Sequence, residues 1–276
     1  MRNRNRSNYG ITLLLFHIFG TVGIDRIPPV TAVTVVLQVI IYLRLIQLPW
    51  YQVSDVCLSL DHVWYGKEWH RLIFAALEHA DDIHLYYNMV SFIWKGQQLE
   101  RRWGKFKFFY ILCVFTILTN VTLLALSHVA SECFDPVYRY HCAVGFSGVI
   151  FALKVLTNYY WPQTTAVVYG LPFPASYAVW LELVVIQLLV PGASFLGHLA
   201  GIVVGVCYVK GPLRPVLDAA ENLGRRIFMP ARDDYYSPRR EEGRFRYAGD
   251  GDFGLSAEEI RRRRLFRFNY VPTTRN

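Results

Sequence analysis

Charge is scarce in this chain. Of its 276 residues only 18% are Asp, Glu, Lys or Arg, while 53% are hydrophobic and 16% aromatic, a balance that excludes an ordinary soluble domain. The charge that remains sums to +8 and is unevenly placed: Arg2, Arg4 and Arg6 crowd the amino end, and much of the rest falls in the C-terminal tail. That split fits a membrane body with basic ends and argues against nucleic acid as a partner. No small-residue cleavage site follows the early run ITLLLFHIFG, so insertion without loss of a signal peptide is expected. No internal repeat is visible, and there is no His-Glu-x-x-His pair.

What the chain has instead is a series of apolar runs. A bilayer core takes about 20 predominantly apolar residues per helix, within a range of about 17–25. Six stretches qualify, some of them short: 29–46, 83–99, 106–129, 144–160, 174–190 and 194–209. An earlier run, 11–24, is shorter and broken by Gly20 and Gly23; it reads as an interfacial segment that could instead extend the first span. After Gly211 the composition shifts to Arg, Asp, Gly and Ser, the mark of a mobile tail. The expected fold is an all-α membrane bundle of six transmembrane helices over 28–210. A cytosolic or interfacial segment, 1–27, precedes it, and a disordered cytosolic tail, 211–276, follows.

Basic residues orient the bundle. The N-terminal arginines, the link carrying Lys95, Arg101, Arg102, Lys105 and Lys107, and the tail all hold excess Lys and Arg, which predicts that both termini and that link are cytosolic. The link 48–82 then faces the lumen or exterior, and its Trp50, Trp64 and Trp69 suit a segment lying in the interface.

This orientation gives the polar residues a common depth. Span two enters from the lumenal side with His84 and Asn88, span four with Gly145-Phe-Ser147-Gly148, and span six with Gly197-His198. Each lies a few residues inside its helix, which at about 1.5 Å per residue is on the order of 10 Å below the surface. A serine nucleophile needs such a set. Individually each residue has a plainer reading: Ser147 could bond back to a carbonyl one turn earlier, His198 could be interfacial, and His84 with Asn88 could pair across helices. Their coincidence at one level favours function, since intramembrane ionisable groups are costly. Gly145, Gly148 and Ala152 on span four, and His198, Gly201 and Gly205 on span six, form small-residue stripes that permit close backbone approach and would bring His198 toward Ser147.

Taken together, the Gly145-Phe-Ser147-Gly148 turn, the His84-x-x-x-Asn88 pair, the Gly197-His198-Leu-Ala-Gly201-Ile-Val-Val-Gly205 span and Glu100-Arg-Arg102-Trp-Gly104 resemble the rhomboid intramembrane serine proteases. The resemblance covers about 28–210 in the family's helix order, and Trp69-His-Arg71 is similar to the family's Trp-Arg signature with one residue inserted. It implies a Ser–His dyad without cofactor or metal. Ser147 would be the nucleophile and His198 the general base and then acid, with His84, Asn88 and the Ser147 N–H forming an oxyanion hole. No acidic residue stands on span six to orient His198. The substrates implied are transmembrane proteins cut near their lumenal ends. The stretches LYYNMVSFIWKGQQLERRWG, AVGFSGVIFALKVL and SFLGHLAGIVVG resemble an endoplasmic-reticulum branch of the family, which implies a multi-pass protein of that membrane acting in endoplasmic-reticulum-associated degradation.

The tail adds a partner. Ser256 and Glu259 form a capping box for a short amphipathic helix carrying Arg261, Arg262, Arg263, Arg264, Leu265, Arg267 and Phe268. The segment resembles the arginine-rich motif by which some reticulum proteins bind the valosin-containing AAA ATPase; a basic membrane-surface patch or a retention signal is the alternative. No acidic-alanine helix like the ubiquitin-interacting segment of such relatives is present. Within the spans, Glu182 and Lys154 sit near mid-membrane and could neutralise each other, with Glu182 on the helix that the resemblance makes a lateral gate. Cys133 and Cys142 share a lumenal loop and could form a disulfide. Two other functions compete with the protease. One is a catalytically inactive rhomboid-like adaptor recruiting the ATPase. The other is a metal transporter or metalloprotease using His79-Ala-Asp81-Asp82-Ile-His84, for which no second cluster exists.

Overall fold

The computed structural model of the protein describes residues 9–162, 165–168 and 171–228; the arginine-rich segment at 261–268 lies outside them. In chain order the helices are α1 (Tyr9–His17), α2 (Pro29–Tyr42), α3 (Arg71–Phe74), α4 (Asp82–Trp103), α5 (Lys105–Cys133), α6 (Ser147–Tyr160), α7 (Ala175–Leu189), α8 (Phe195–Lys210) and α9 (Leu213–Phe228). All six apolar stretches are therefore helical. Among the described residues, α5 alone is a single helix long and apolar enough to cross a bilayer, while α2 and α7 are apolar but shorter. The outer faces expose Phe106, Phe109, Ile117, Leu188 and Leu189, as a lipid-facing surface would.

Local chemistry sets the helix ends. The Asp81 carboxylate accepts from the His84 N–H at 2.7 Å and starts α4. Gly104, at φ 79, ends it. Ser194 starts α8 by accepting from Gly197 N–H at 3.1 Å. Helix α2 begins with Pro29 and has no side-chain cap of its own. Its cap comes from α4: the buried Glu100 carboxylate accepts from Val30 N–H (2.9 Å), Thr31 N–H (2.8 Å) and Thr31 Oγ1 (2.8 Å). A carboxylate at a helix N-terminus satisfies orphan amides and complements the helix dipole.

Helices α4, α6 and α8 run the same way. Gly145, just before α6, faces His84 at the start of α4. At the other end Trp103 lies edge-on to Tyr160, with ring centroids 5.8 Å apart, and 6.2 Å from Tyr208. Leu85, Phe92, Phe108, Phe115, Leu153 and Tyr208 fill the core between these helices and α5.

The N-terminal segment departs from the interfacial reading. Tyr9–Val22, α1 followed by one wide turn, descends alongside α4. Gly10 N–H donates to Asp82 Oδ2 at 2.9 Å, His17 lies edge-on to Trp94 at 6.4 Å, and the Arg26 carbonyl accepts from Gln97 (3.3 Å) and Arg101 (2.6 Å). Close packing against α4 makes this possible, because a Cβ at Gly10 would lie 2.1 Å from the Asp82 carbonyl oxygen. Tyr9, at the start of α1, thus lies beside the start of α4, whereas α8 ends beside the end of α4. Two further additions lie at that far end. A hairpin of Thr165–Val168 with Leu171–Pro174 joins α6 to α7. The beginning of the expected tail is α9, bent 77° from α8 and held by Lys107 to Asp218 (2.5 Å) and Glu221 (3.3 Å).

Removing the Glu100 carboxylate leaves buried donors unsatisfied, at about 1–3 kcal/mol for such a group. Glu100→Ala should therefore lower the melting temperature of the detergent-solubilised protein clearly, and Glu100→Gln, which keeps one acceptor, by less; an unchanged melting curve for the alanine variant would remove Glu100 as the α2 cap.

Candidate active site

The site depends on how closely α6 and α8 approach. A Cβ at Gly201 would stand 2.0 Å from the Gly148 carbonyl oxygen, and one at Gly205 would stand 2.8 Å from Val155 Cβ and 2.9 Å from the Ala152 carbonyl oxygen. The two small-residue stripes thus lie face to face, backbone against backbone, as packing without large side chains allows. At their upper end this contact puts His198 Nε2 3.0 Å from Ser147 Oγ.

Ser147 is the first residue of α6, and the chain reaches it through Gly145 at φ +114, a conformation that disfavours any side chain. Space forbids one as well, since a Cβ there would meet His84 Cε1 at 2.7 Å and Nε2 at 3.0 Å. Phe146 is buried and packs edge-on to Phe92 at 5.2 Å. The turn is therefore pressed between the His84 ring and the core, with the Ser147 hydroxyl left facing α8.

His198 is 5% exposed and stacks on Phe151, with centroids 4.6 Å apart. Its Nδ1 is buried and has no hydrogen-bond partner among the described residues, so no acidic third member orients it there. To accept the Ser147 proton, Nε2 must be bare and the ring proton must sit on Nδ1.

His84 and Asn88 occupy the same level of α4. Ala80 N–H reaches His84 Nδ1 at 3.4 Å, which leaves the ring proton on Nε2, the ring nitrogen nearer the Gly145 turn. Asn88 is 5% exposed and donates through Nδ2 to the His84 carbonyl at 2.8 Å. An amide nitrogen carries two hydrogens, so one remains for another acceptor. A cavity of about 20 Å³ opens beside Ser147, lined among others by Gly145, Gly148, Thr119, Asn120 and Gly197. That is room for about one water. Thr119 and Asn120 carry no signal that the sequence reading could weigh, because polar residues within the long α5 run look like ordinary helix content; here Asn120 Nδ2 donates to the Leu72 carbonyl at 2.7 Å and ties α5 to α3.

A pinned loop roofs the site. Arg71 is 4% exposed and donates to the carbonyls of Ser54 and Cys57, both at 2.8 Å, and to Glu68 at 2.9 Å. Trp69, two residues earlier, is half exposed and edge-on to Trp64 at 6.3 Å. The disulfide differs from expectation: Cys142 bonds Cys57, and Cys133 is a free, exposed thiol. Leu58 and Ala143 exchange backbone hydrogen bonds at 2.8 and 2.9 Å beside this bond, which brings the neighbouring Cys57 and Cys142 to 5.4 Å between Cα atoms, whereas Cys133 is the last residue of α5 and has no part in that pairing. The same loop buries His79 completely against His84, with centroids 5.1 Å apart, and burial holds its imidazole well below the ordinary histidine range. Asp81 and Asp82 cap α4 and hold α1, so the acidic residues of that run serve helix ends.

The remaining residues singled out in the sequence lie away from Ser147. Arg102 packs over Tyr160 at 4.4 Å at the far end of the bundle. Lys154 on α6 and Glu182 on α7 form an ion pair. Arg261, Arg262, Arg263, Arg264, Leu265, Arg267 and Phe268 fall outside the described residues.

Comparison with known proteins identifies the family of the chain. The family described as "Rhomboid domain" matches residues 66–214. Rhomboid-related protein 4 of Homo sapiens is 44% identical over 246 residues, 88% of this chain and 76% of that protein. Rhomboid-like protein 14, mitochondrial, of Arabidopsis thaliana is 38% identical over 221 residues, 74% of this chain and 64% of that protein. Rhomboid-type serine protease 2 of Debaryomyces hansenii is 31% identical over 155 residues, 52% of this chain and 50% of that protein. With the family's domain covering more than half of its length and a relative matching most of it, the chain belongs to the rhomboid family of membrane-embedded proteins, whose members are generally serine proteases.

Proposed function

We propose that the protein is an intramembrane serine endopeptidase that cuts transmembrane substrates near the lumenal ends of their spans. The observation that carries this reading is the 3.0 Å contact between Ser147 Oγ and His198 Nε2 at the head of a glycine-lined helix pair. Ser147 Oγ attacks the scissile carbonyl carbon while Nε2 takes its proton; the oxyanion forms against the Ser147 N–H, His84 Nε2–H and the second Asn88 amide hydrogen. His198 then protonates the departing amine, leaving an acyl-enzyme. Water, activated by His198 in turn, attacks the ester and restores Ser147.

Substrate must arrive unwound, because a helix hides its carbonyls in i→i−4 bonds. Glycine, proline or polar residues near the lumenal end of a substrate span supply that. We assign the protein to the endoplasmic-reticulum membrane, where the tail would hand cleaved substrates to the valosin-containing AAA ATPase. Because the segment 9–26 follows α4, with Gly10 at Asp82, His17 at Trp94 and Arg26 at Arg101, we read it as an additional crossing whose lumenal end holds Tyr9 beside the level of Ser147. Arg26, Arg101, Arg102, Lys105, Lys107, Lys210 and Arg214 gather at the opposite end, the side that the positive charge would make cytosolic.

Three outcomes follow from this reading. Ser147→Ala and His198→Ala should each abolish cleavage of a single-span reporter by the purified enzyme, and Asn88→Ala, by removing one oxyanion donor among several, should cost up to about 10²–10³-fold in turnover; near-normal cleavage by Ser147→Ala would end the protease reading. For topology, single reporter cysteines replacing Tyr9 and Gly211 should react with an impermeant maleimide from opposite faces of sealed vesicles, and reaction from the same face would return both ends to the cytosol. For the tail, changing Leu265 and Phe268 to Ala with all arginines kept should spare cleavage but abolish ATPase pull-down, since the arginines supply charge-assisted contacts and the apolar pair anchors the helix. Undiminished pull-down would leave the tail as a basic surface patch.

A further inference from the structure

The Cys57–Cys142 disulfide stands five residues from the nucleophile and is part of what holds the nucleophile's turn in place. Cys57 is 8% exposed and its carbonyl is pinned by the buried Arg71, so it is a fixed anchor. Cys142, by contrast, is exposed. From Cys142 the chain makes three consecutive attachments: the disulfide itself, the paired hydrogen bonds of Ala143 with Leu58, and Gly145 N–H to the Ala75 carbonyl at 2.9 Å. The last of these sets Gly145 at φ +114 against His84, and Ser147 follows. The disulfide is therefore the one covalent tie between the roof loop and the segment that enters α6.

We propose that this disulfide is a positioning pair for Ser147 and makes catalysis dependent on the redox state of the lumenal face, an inference that rests on the protease reading above. A dithiol reductant would attack Cys142 Sγ, the accessible sulfur, and Cys57 Sγ would leave as a thiolate and take up a proton. The reductant's second thiol would then release Cys142, so that the protein gains two thiols and the reductant is oxidised to its own disulfide. With the tie gone, the Ala143–Leu58 pairing and the Gly145 bond are left to hold the turn unaided, and the Ser147–His198 and oxyanion geometry loosens. A displacement of about 1 Å at such a site can cost on the order of 10²-fold in rate. The remaining described cysteines, Cys113, Cys133 and Cys207, are already free thiols and offer a reductant nothing to cleave.

Purified full-length enzyme in detergent is assayed on a single-span reporter, oxidised, after treatment with dithiothreitol, and after reoxidation. Thiols are counted by alkylation and mass, and Ser147 reactivity is followed with a fluorophosphonate probe. Reduction should lower kcat at least fivefold with KM little changed and slow probe labelling in parallel, and reoxidation should restore both. The Cys57→Ser/Cys142→Ser variant, if its helicity matches wild type, should sit at the reduced rate and ignore dithiothreitol; should it fail to fold, the reversible cycle on wild type decides alone. Equal kcat for enzyme shown to be fully oxidised and fully reduced would overturn the redox inference and leave the protease reading intact. Oxidised wild type that neither cleaves nor labels would instead overturn the protease reading on which it rests.

Discussion

Everything at the site depends on two helices touching through their backbones. In lipid, apolar side chains are no better placed against each other than against acyl chains, so association relies on close packing and hydrogen bonds. Gly148 and Ala152 on α6 meet Gly201 and Gly205 on α8, and a single added methyl at Gly201 would occupy the position of the Gly148 carbonyl. Because the contact is so close, a histidine one turn before Gly201 falls within hydrogen-bond distance of a serine one residue before Gly148. A wider interface would hold the same residues too far apart to exchange a proton.

The second requirement is that polar groups inside this apolar body be satisfied, since an unpaired one is expensive there. The chain meets it by long-range capping: Glu100 on α4 caps α2, Asp82 at the head of α4 receives the start of α1, and Glu78 takes the Trp50 indole at 2.6 Å and Arg44 at 2.6 Å. Each bond joins segments distant in sequence: helix α4 is the post to which α1 and α2 are tied, and Glu78, just before it, gathers Arg44 and Trp50 from the chain after α2. The buried atoms that remain without partners among the described residues include Asn88 Oδ1 and His198 Nδ1. Both belong to residues gathered beside Ser147.

The positions of Ser147 and His198 were readable from the linear chain because membrane sequences tolerate few polar residues, and a serine between glycines or a histidine leading a glycine stripe stands out against an apolar background. The six helices were readable for the same reason. Other features were not. The segment 11–24 looked interfacial because its length and glycines say nothing of the groove on α4 that Gly10 fits. Cys142 was paired with its neighbour in the loop rather than with Cys57, because the Leu58–Ala143 pairing that aligns the two sulfurs joins segments some eighty residues apart. Glu100 was visible only as part of a motif, with no hint that its acceptors belong to α2.

By itself the sequence determined the helical class, the helix positions, the glycine stripes and the identity of the serine and histidine, since these follow from hydropathy, small-residue spacing and the cost of polar groups in lipid, all of which are local. Tertiary structure decided which sulfur joins Cys142, where α1 runs, what caps α2 and that Nε2 of His198 stands within a hydrogen bond of Ser147. Those outcomes depend on which distant backbones pack together, and no run of neighbouring residues encodes that distance.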